Sequence, residues 1–332
     1  MTGRRLLVTG ATGGLGRAIV RAALVRGHAV CATGRSEARG AALEALGAQF
    51  VAIDLADPAN ELGGLVDGCE SIIHAAALSA SWGARADFER TNVDMTRRLL
   101  DAARGSGCRR FVYISSPSIF AAHRDQLGIG PHHVPARRPL NDYARTKLAA
   151  ERTVLARSND RLARCVIRPR ALVGEGDEVI LPRLAQLVGR KRIPLPGGGR
   201  ALVELTDLRD AAEAVLRAED RALDVAGQAI NISGGQPIAV KEVAERLGQA
   251  LGRRPEMIDL PLPVARAVAV GLEWSARIMR RQCEPMLTHY TLATLGYSQT
   301  FDLAPAEHLL GYRPQYDALE TLLEQARFRA AP

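Results

Sequence analysis

The stretch Leu6-Leu-Val-Thr-Gly10-Ala-Thr-Gly13-Gly-Leu-Gly16 decides the fold of this chain, because a short apolar run leads directly into glycines spaced three residues apart. This pattern predicts a strand, a tight turn and the start of a helix. Gly10 permits the turn, Gly13 lets backbone approach a pyrophosphate, and Gly16 lets the helix pack closely on the strand. A helix N-terminus attracts phosphate through its free N–H groups and partial positive charge. We therefore expect a dinucleotide to be bound by Gly10, Thr12, Gly13, Gly14, Leu15 and Gly16.

Short apolar runs alternate with longer amphipathic segments through the first half of the chain. The apolar runs predict strands at residues 6–9, 29–32, 49–53, 71–74, 110–115 and 163–167. The amphipathic segments predict helices such as 14–26, 88–103 and 142–156. Strands and helices that alternate in this way build a parallel sheet covered on both faces. The sequence thus predicts an α/β fold of the Rossmann type, with a doubly wound parallel sheet.

The alternation loosens after about residue 170, where prolines and the glycine run 197–199 interrupt it. Further on, the sequence predicts a strand at 229–232 and helices at 240–251, 263–281, 305–310 and 318–328. We expect residues 1–170 to form the dinucleotide-binding domain and residues 200–230 to rejoin it. Residues 171–199 and 231–332 are then expected to form a smaller C-terminal lid that binds substrate.

The composition argues against several classes of protein. With 47% hydrophobic and 24% charged residues, the chain resembles ordinary soluble globular proteins. Its net charge of +8 comes from scattered arginines, and only 4% of its residues are aromatic, so we expect no nucleic-acid partner. Five cysteines without a CxxC spacing predict reduced thiols and a cytoplasmic protein. We expect neither a signal peptide nor a transmembrane segment.

The predicted helix 263–281 is apolar and ends in basic residues, as an interfacial membrane helix does. Arg266 and Glu273 interrupt its apolar character. We favour a lid or dimer helix, and leave peripheral membrane contact or capture of an apolar substrate open as alternatives.

The end of the second predicted strand indicates which nicotinamide cofactor is used. Gly34 stands where an acidic residue would bind the adenosine ribose diol, and Arg35 and Ser36 follow it. An arginine and a hydroxyl suit a 2′-phosphate, so we predict NADP(H) over NAD, with a solvated Arg35 and relaxed cofactor choice as the alternative. After the third strand, Asp54 and Leu55 are expected to border the adenine. After the fourth strand, the small residues Ala75, Ala76 and Ala77 are expected to pass close to the cofactor.

Hydroxyl and amine side chains suited to proton transfer follow the fifth strand. That strand ends in Ser115 and Ser116, at the sheet edge where ligands bind in such folds. Tyr143 and Lys147 follow, four residues apart and therefore on one helix face. A cation beside a phenol lowers its pKa, as acid–base work at neutral pH requires. A surface tyrosine beside a solvated lysine is the competing interpretation of that pair alone.

Behind the glycine loop, the ordered set of Ser116, Tyr143 and Lys147 resembles the extended short-chain dehydrogenase/reductase superfamily, in which the glycines also have this spacing. The resemblance implies that Tyr143 is the general acid, that Lys147 lowers its pKa and binds the nicotinamide ribose, and that Ser116 bonds the substrate oxygen. Ser115 and Ser118 are the competing serines. Pro169 would lie against the nicotinamide amide.

Within the superfamily, Ile167-Arg168-Pro169-Arg170-Ala-Leu-Val-Gly174-Glu-Gly176-Asp177 resembles the 3β-hydroxysteroid dehydrogenase group. Arg170 occupies about the place where sugar-nucleotide epimerases carry an asparagine. The resemblance extends to bacterial reductases of 2-alkyl-3-oxoalkanoates in long-chain olefin biosynthesis, although Gly174-Glu-Gly176 departs from the more usual Gly-Pro-Gly. Further segments that carry it are His74-Ala-Ala-Ala with Trp82-Gly83, Ser115-Ser-Pro-Ser118, Tyr143-Ala-Arg-Thr-Lys147, Leu181-Pro-Arg-Leu184 and Leu309-Leu-Gly-Tyr-Arg-Pro314.

The resemblance implies an NADPH-dependent oxidoreductase that converts a hydrophobic β-keto acid, a 2-alkyl-3-oxoalkanoate, into the β-hydroxy acid. A 3β-hydroxysteroid dehydrogenase and a nucleotide-sugar epimerase or dehydratase are the alternatives, and a nonenzymatic cofactor sensor is a third. A carboxylate substrate needs a cation, for which Arg170, Arg183, Arg137 and Arg138 are candidates. The expected protein partners are a second copy of this chain and other enzymes of its pathway. No metal is expected at His132 and His133.

Overall fold

The computed structural model describes residues 3–156, 161–279 and 283–330. Seven parallel strands form its main sheet: β1 (Arg5–Thr9), β2 (Ala29–Gly34), β3 (Gln49–Ala52), β4 (Ser71–His74), β5 (Arg110–Ile114), β6 (Ala163–Pro169) and β7 (Ala229–Ile232). Their spatial order is β7-β6-β5-β4-β1-β2-β3. This sheet confirms the predicted α/β, Rossmann-type fold.

Helices cover both faces of the sheet because alternate side chains of each strand point to opposite sides. In β1, Leu6 and Val8 belong to one core cluster and Leu7 to the other. The helices are α1 (Gly14–Val25), α2 (Glu37–Glu44), α3 (Gly63–Val66), α4 (Arg85–Phe88), α5 (Met95–Gly105), α6 (Asp142–Leu155), α7 (Ile180–Val188), α8 (Leu208–Asp220), α9 (Val240–Ala250), α10 (Leu262–Ile278), α11 (His289–Gly296), α12 (Ala304–Leu310) and α13 (Ala318–Ala330). The first cluster packs α1 against α8, and the second packs α5 and α6 on the opposite face.

The strand order reverses beside β1. The chain runs outward from β1 to β2 and β3, then returns to β4 on the other side of β1. At such a reversal the loops that follow the two central strands diverge and leave a crevice at the carboxyl edge of the sheet. The fold therefore places the ligand site where the glycine loop follows β1.

The second half of the chain contributes to two regions. The strand β7 extends the main sheet, and α8 packs against α1. A third core cluster joins α7, α9 and α13. Short strands pair around it: Leu172–Val173 with Thr206–Asp207, Arg192–Pro196 with Glu256–Leu260, and Leu202–Val203 with Ile238–Ala239. The division of the chain into a cofactor domain and a lid stays a prediction, and its boundary at residue 230 falls inside β7.

Three segments differ from the sequence-based expectation. The helix expected at 88–103 is divided into α4, a π-helical turn Glu89–Asp94 and α5. The segment between Ser116 and Tyr143 contains a strand, Gln126–Ile129, which pairs with Gln299–Phe301; such a distant partner cannot be read from local sequence. The helix expected at 263–281 is α10, which ends at Ile278, and the last two expected positions lie outside the described residues.

Among the described residues, no helix combines the length and the apolar character that a bilayer crossing requires.

Candidate active site

The glycine loop has the close approaches that only glycine permits. A Cβ at Gly10, whose φ is +66°, would lie 2.7 Å from the Ala76 backbone. A Cβ at Gly16 would lie 2.1 Å from the Gly10 carbonyl oxygen. At Gly13, by contrast, the nearest atom to an added Cβ is 3.5 Å away. The loop is thus folded tightly on two sides and open at Gly13, as the approach of a pyrophosphate requires.

The first turn of α1 provides the positive end of a helix dipole. Gly13 is its N-cap, and neither a capping side chain nor an acidic first-turn residue neutralises it in the described chain. The contact between Gly10 and Ala76 brings the loop against the segment Ala75–Ala77, which follows β4. The residues present therefore fit the diphosphate of a nicotinamide dinucleotide.

The end of β2 presents the predicted Arg35 and Ser36 beside that loop. Gly34 packs against Thr12, since a Cβ at position 34 would lie 2.6 Å from Thr12 Oγ1. The Arg35 side chain is exposed. Ser36 is the N-cap of α2 and accepts a hydrogen bond from the Arg39 N–H at 3.4 Å, so its own hydroxyl hydrogen stays free to donate.

Asp54 and Leu55 differ in their surroundings. Asp54 is exposed, and its Oδ1 accepts the Ala56 N–H at 3.0 Å. The Leu55 side chain is only 4% exposed and belongs to the second core cluster. Leu55 therefore shapes this part of the site from the core, beneath the loop after β3.

His74, the last residue of β4, is fully buried in a hydrogen-bonded chain. Thr9 Oγ1 accepts the Ala76 N–H at 3.2 Å and lies 2.7 Å from His74 Nδ1, to which it donates. Thr96 Oγ1 donates to the Asn92 carbonyl oxygen at 2.7 Å and accepts from His74 Nε2 at 3.0 Å. Burial, aided by the Lys147 charge, lowers the pKa of His74 to about 3. A neutral imidazole thus links β1 and β4 at the strand reversal.

Asn92 is a residue of the site that sequence reasoning missed. It lies in the π-helical turn, a type of irregularity common at functional sites. Its amide accepts the Leu78 N–H at 2.8 Å and donates to Thr146 Oγ1 at 3.0 Å. Asn92 therefore joins the loop after β4 to α6, the helix of Tyr143. Its partners are 14 and 54 residues away along the chain, so no local pattern marks it.

The three candidate serines have different environments. Ser115 Oγ and Ser118 Oγ are buried and have no hydrogen-bond partner within the described part of the chain. Ser116 is partly exposed and accepts the Ser118 N–H at 3.2 Å, and its hydroxyl lies close enough to the Tyr143 phenol to lower the pKa of that group. Because its oxygen already accepts, its hydroxyl hydrogen is available to the phenol. The tertiary structure therefore brings Ser116 together with Tyr143.

Tyr143 and Lys147 lie on the same helix, α6, whose N-cap Asn141 accepts the Ala144 N–H at 2.8 Å. Lys147 is 3% exposed, and its Nζ donates to the Ile114 carbonyl oxygen at 2.6 Å. Burial lowers the pKa of Lys147 to about 7, although the Glu151 carboxylate opposes this shift.

Burial raises the pKa of the Tyr143 phenol above its ordinary value; the Tyr290 phenol adds to the rise, and the hydrogen bond from Ser116 opposes it. The expected lowering of this pKa by Lys147 stays a prediction. In the chain alone the pKa is raised because burial penalises the phenolate. The phenol is protonated at neutral pH.

A cavity of about 310 Å³ opens beside the start of α6. Its walls are the loop 81–84 with Phe88, residues 140–142, the inner face of α10, and Thr288 and Tyr290. Tyr290 interacts electrostatically with Tyr143 and with Arg170. The outer face of α10 exposes Val264, Val268 and Trp274 to solvent. That α10 serves as a lid or dimer helix stays a prediction.

The arginine candidates for a substrate carboxylate separate by environment. Arg137 and Arg138 are exposed. Arg183 donates to Glu284 at 3.1 Å and to Ser81 at 2.9 Å. Arg170 follows Pro169, the last residue of β6, and is only 8% exposed.

One group of possible metal ligands occurs in the described residues: His28, Glu219 and Asp220. Arg4 donates to both carboxylates, so a guanidinium already compensates their charge. His132 and His133 are exposed. All five cysteines are free thiols, and four of them are buried.

Comparisons with known proteins agree with this geometry. The model of the NAD dependent epimerase/dehydratase family matches residues 6–233. The chain is 33% identical over 325 residues to the 2-alkyl-3-oxoalkanoate reductase of Stenotrophomonas maltophilia, covering 96% of this chain and 97% of the relative. It is 30% identical over 336 residues to the 3 beta-hydroxysteroid dehydrogenase/Delta 5-->4-isomerase of Mycobacterium tuberculosis, covering 96% and 89%.

Among solved structures, MoeE5 in complex with UDP-glucose and NAD superposes with a TM-score of 0.75 at 24% identity, covering 99% of this chain and 100% of that one. This likeness concerns the fold alone. The family match and the two relatives carry the assignment: the chain belongs to the NAD dependent epimerase/dehydratase family, the extended short-chain dehydrogenase/reductases with relatives in the 3β-hydroxysteroid dehydrogenase group, and is an NAD(P)-dependent oxidoreductase.

Proposed function

We propose that this protein uses NADPH to reduce the ketone of a hydrophobic 2-alkyl-3-oxoalkanoate to the corresponding β-hydroxy acid. The observation that carries the proposal is the placement of the Ser116 hydroxyl beside the Tyr143 phenol, whose pKa it lowers, one helical turn from the buried Lys147. A cofactor-binding sensor needs the glycine loop but has no use for this proton-transfer arrangement.

In the proposed reaction, Tyr143 donates its phenolic proton to the ketone oxygen, and Ser116 hydrogen-bonds that oxygen. The bound NADPH supplies the hydride. The raised pKa of Tyr143 suits a proton donor, because the phenol stays protonated at neutral pH until the oxygen develops charge. With a pKa of about 7, Lys147 exchanges protons near neutral pH and is suited to return one to the tyrosine.

Three neighbouring residues support a preference for NADPH. Gly34 occupies the position at the end of β2 where a carboxylate would accept hydrogen bonds from a ribose diol. The exposed Arg35 offers a guanidinium to a 2′-phosphate, and Ser36 offers a hydroxyl hydrogen.

The substrate class is supported by the cavity and by one named relative. The cavity at Tyr290 combines the apolar side chains of Trp82, Phe88 and Leu140 with the charged Glu273 and Arg277 of α10. The Stenotrophomonas maltophilia relative, similar over nearly its whole length, is named for a 2-alkyl-3-oxoalkanoate substrate. A 3β-hydroxysteroid is the second candidate, favoured by the Mycobacterium tuberculosis relative. In both cases α10 and α11 would cover the substrate as part of the lid.

The test is turnover of purified protein with a substrate panel, followed by nicotinamide absorbance. The panel contains a long-chain 2-alkyl-3-oxoalkanoate, a 3-ketosteroid, a short methyl ketone and a UDP-sugar, each with NADPH and with NADH. We expect the highest kcat/KM for the long-chain keto acid with NADPH. Preferential turnover of the steroid would favour the second candidate. Conversion of the UDP-sugar without net cofactor change would instead identify an epimerase.

A further inference from the structure

Arg170 is a buried cation without a bonded counterion. Its side chain forms no hydrogen bond or ion pair with any residue in the described ranges, and its Nε is sealed from solvent. An arginine in this state is costly, because desolvation of the guanidinium is not compensated by a carboxylate. Such groups are retained where an anion completes their environment.

The two groups that face Arg170 electrostatically do not serve as that anion. Glu204 is occupied elsewhere: its carboxylate accepts from the Ser233 hydroxyl and, at 3.1 Å, from the Phe301 N–H. Burial also raises the pKa of Glu204. The second group is the Tyr290 phenol, whose pKa is raised by burial and which is therefore neutral at physiological pH.

The backbone around Arg170 is held in a strained conformation. Ala171 has φ +37° and is the single nonglycine residue with positive φ in the described part of the chain. Thr206 secures this turn, because its hydroxyl donates to the Arg170 carbonyl oxygen and its N–H donates to the Ala171 carbonyl oxygen at 3.0 Å. Strain of this kind persists where the surrounding structure imposes it, and it is frequent at ligand sites.

Tyr290 connects Arg170 to the reacting groups. Tyr290 lines the cavity beside α6 and lies close enough to Arg170 and Tyr143 for its ionisation to be affected by both. Arg170 directly follows β6 at the carboxyl edge of the sheet, which is the edge where a substrate with its ketone at Tyr143 would lie.

We propose that Arg170 binds the carboxylate of the β-keto acid and so makes the protein specific for carboxylate substrates over neutral ketones. This inference rests on the proposed function, and it selects Arg170 from the four arginines considered from sequence. Arg183 already has Glu284 as a partner, and Arg137 and Arg138 are solvated.

The experiment compares two alcohols in the oxidative direction, which avoids the spontaneous decarboxylation of β-keto acids. A long-chain 2-alkyl-3-hydroxyalkanoate and its methyl ester are each oxidised with NADP⁺, which accepts the hydride while Tyr143 releases its phenolic proton to solvent and takes the hydroxyl proton in its place. The variants are Arg170→Met, Arg170→Lys and the charge-matched control Arg254→Met, whose side chain is exposed.

We expect Arg170→Met to raise KM for the acid about ten- to hundredfold, the amount that hydrogen bonds to a charged group supply. KM for the ester should change less than about twofold by the same argument. Arg170→Lys should restore part of the acid preference, because an ammonium keeps the charge but not the paired donors. An equal loss for acid and ester, or no loss for either, would overturn the proposal.

A binding measurement separates this inference from the proposed function. Calorimetry with NADP⁺ present measures the affinity of a saturated 2-alkyl carboxylate, which has no group to oxidise. Wild-type binding that Arg170→Met weakens at least about tenfold supports the anion site, even if the hydroxy acid is not turned over. Equal affinity in both proteins, or no wild-type binding, rejects the site whatever the enzyme reduces. Thermal unfolding of each variant shows that the fold is intact.

Discussion

The side chain of Thr12 fills the space in which a side chain at position 34 would begin. A Cβ on Gly34 would lie 2.6 Å from both Oγ1 and Cγ2 of Thr12. These residues come from different loops, one after β1 and the other at the end of β2. The phosphate loop and the position next to the expected adenosine ribose are therefore packed against each other. A substitution at one of them changes the packing of the other.

Replacing Arg35 with Leu should weaken the use of NADPH selectively. The guanidinium is proposed to bind the 2′-phosphate, and charge-assisted hydrogen bonds of this kind contribute about 1.5–3 kcal/mol. We expect kcat/KM for NADPH to fall about ten- to hundredfold. Steady-state kinetics with NADH on the same variant provide the control, and kcat/KM for NADH should change little. An equal fall in kcat/KM for NADH would show that Arg35 does not bind the 2′-phosphate.

Introducing the missing carboxylate, Gly34→Asp, should not by itself produce an NADH enzyme. The new Cβ collides with Thr12, so the phosphate loop must shift and kcat/KM should fall with both nucleotides. Gly34→Asp combined with Thr12→Ala removes the collision and should recover activity with NADH in preference to NADPH. A single Gly34→Asp variant as active with NADH as the double variant would contradict the packing argument.

Replacing Tyr143 with Phe should lower kcat at least about 10²-fold, since the general acid is lost. Ser116→Ala should lower kcat as well, because its hydroxyl lies beside the Tyr143 phenol and is proposed to bond the substrate oxygen. The matched control is Ser115→Ala, whose buried hydroxyl has no partner among the residues described. Single-turnover rates at saturating NADPH measure all three; an inactive Ser115→Ala beside an active Ser116→Ala would reverse the assignment.

Lys147 should make stability rise with pH over an alkaline window. Burial lowers its pKa from 10.5 to about 7, so in this interval the unfolded chain binds a proton that the folded chain does not. The loss of folding stability that the buried Lys147 causes is complete below pH 7 and disappears as the pH rises to 10.5. Within the window the group contributes up to about 1.4 kcal/mol per pH unit. Urea unfolding should show that Lys147→Met loses this part of the slope; an unchanged difference between the proteins across the window would refute the shift.

His74 should make the fold acid-sensitive. Its pKa is lowered from 6.5 to about 3, so the stability that it contributes is present above 6.5 and is lost as pH falls toward 3. We expect the stability of the His74→Gln variant to fall less steeply as the pH is lowered. Glutamine retains polar atoms for Thr9 and Thr96. The exposed His132→Gln is the control for loss of a histidine. Equal effects of the two substitutions would mean that the burial of His74 is not the cause.

Features that depend on near neighbours were predictable from sequence. The glycines at 10, 13 and 16 require a turn whatever surrounds them, and Tyr143 and Lys147 share a helix face because they are four residues apart. The strand β7 was predicted to the residue, since apolar β-branched residues bounded by glycines define it locally. The capping of α8 by Asp207, whose Oδ1 accepts the Arg209 N–H at 2.7 Å, also follows from neighbouring residues.

Only the tertiary structure decided the contacts between residues that are far apart in the sequence. Sequence spacing could not separate Ser116 from Ser115 and Ser118, because the approach of Ser116 to Tyr143 joins the loop after β5 to α6. Nor could it show that burial raises the Tyr143 pKa, or that Arg170 lies buried without a counterion among the described residues while Arg183 has one. Desolvation and pairing depend on what packs around a group, so the sequence determined which chemistry was available and the fold decided which side chains are placed to perform it.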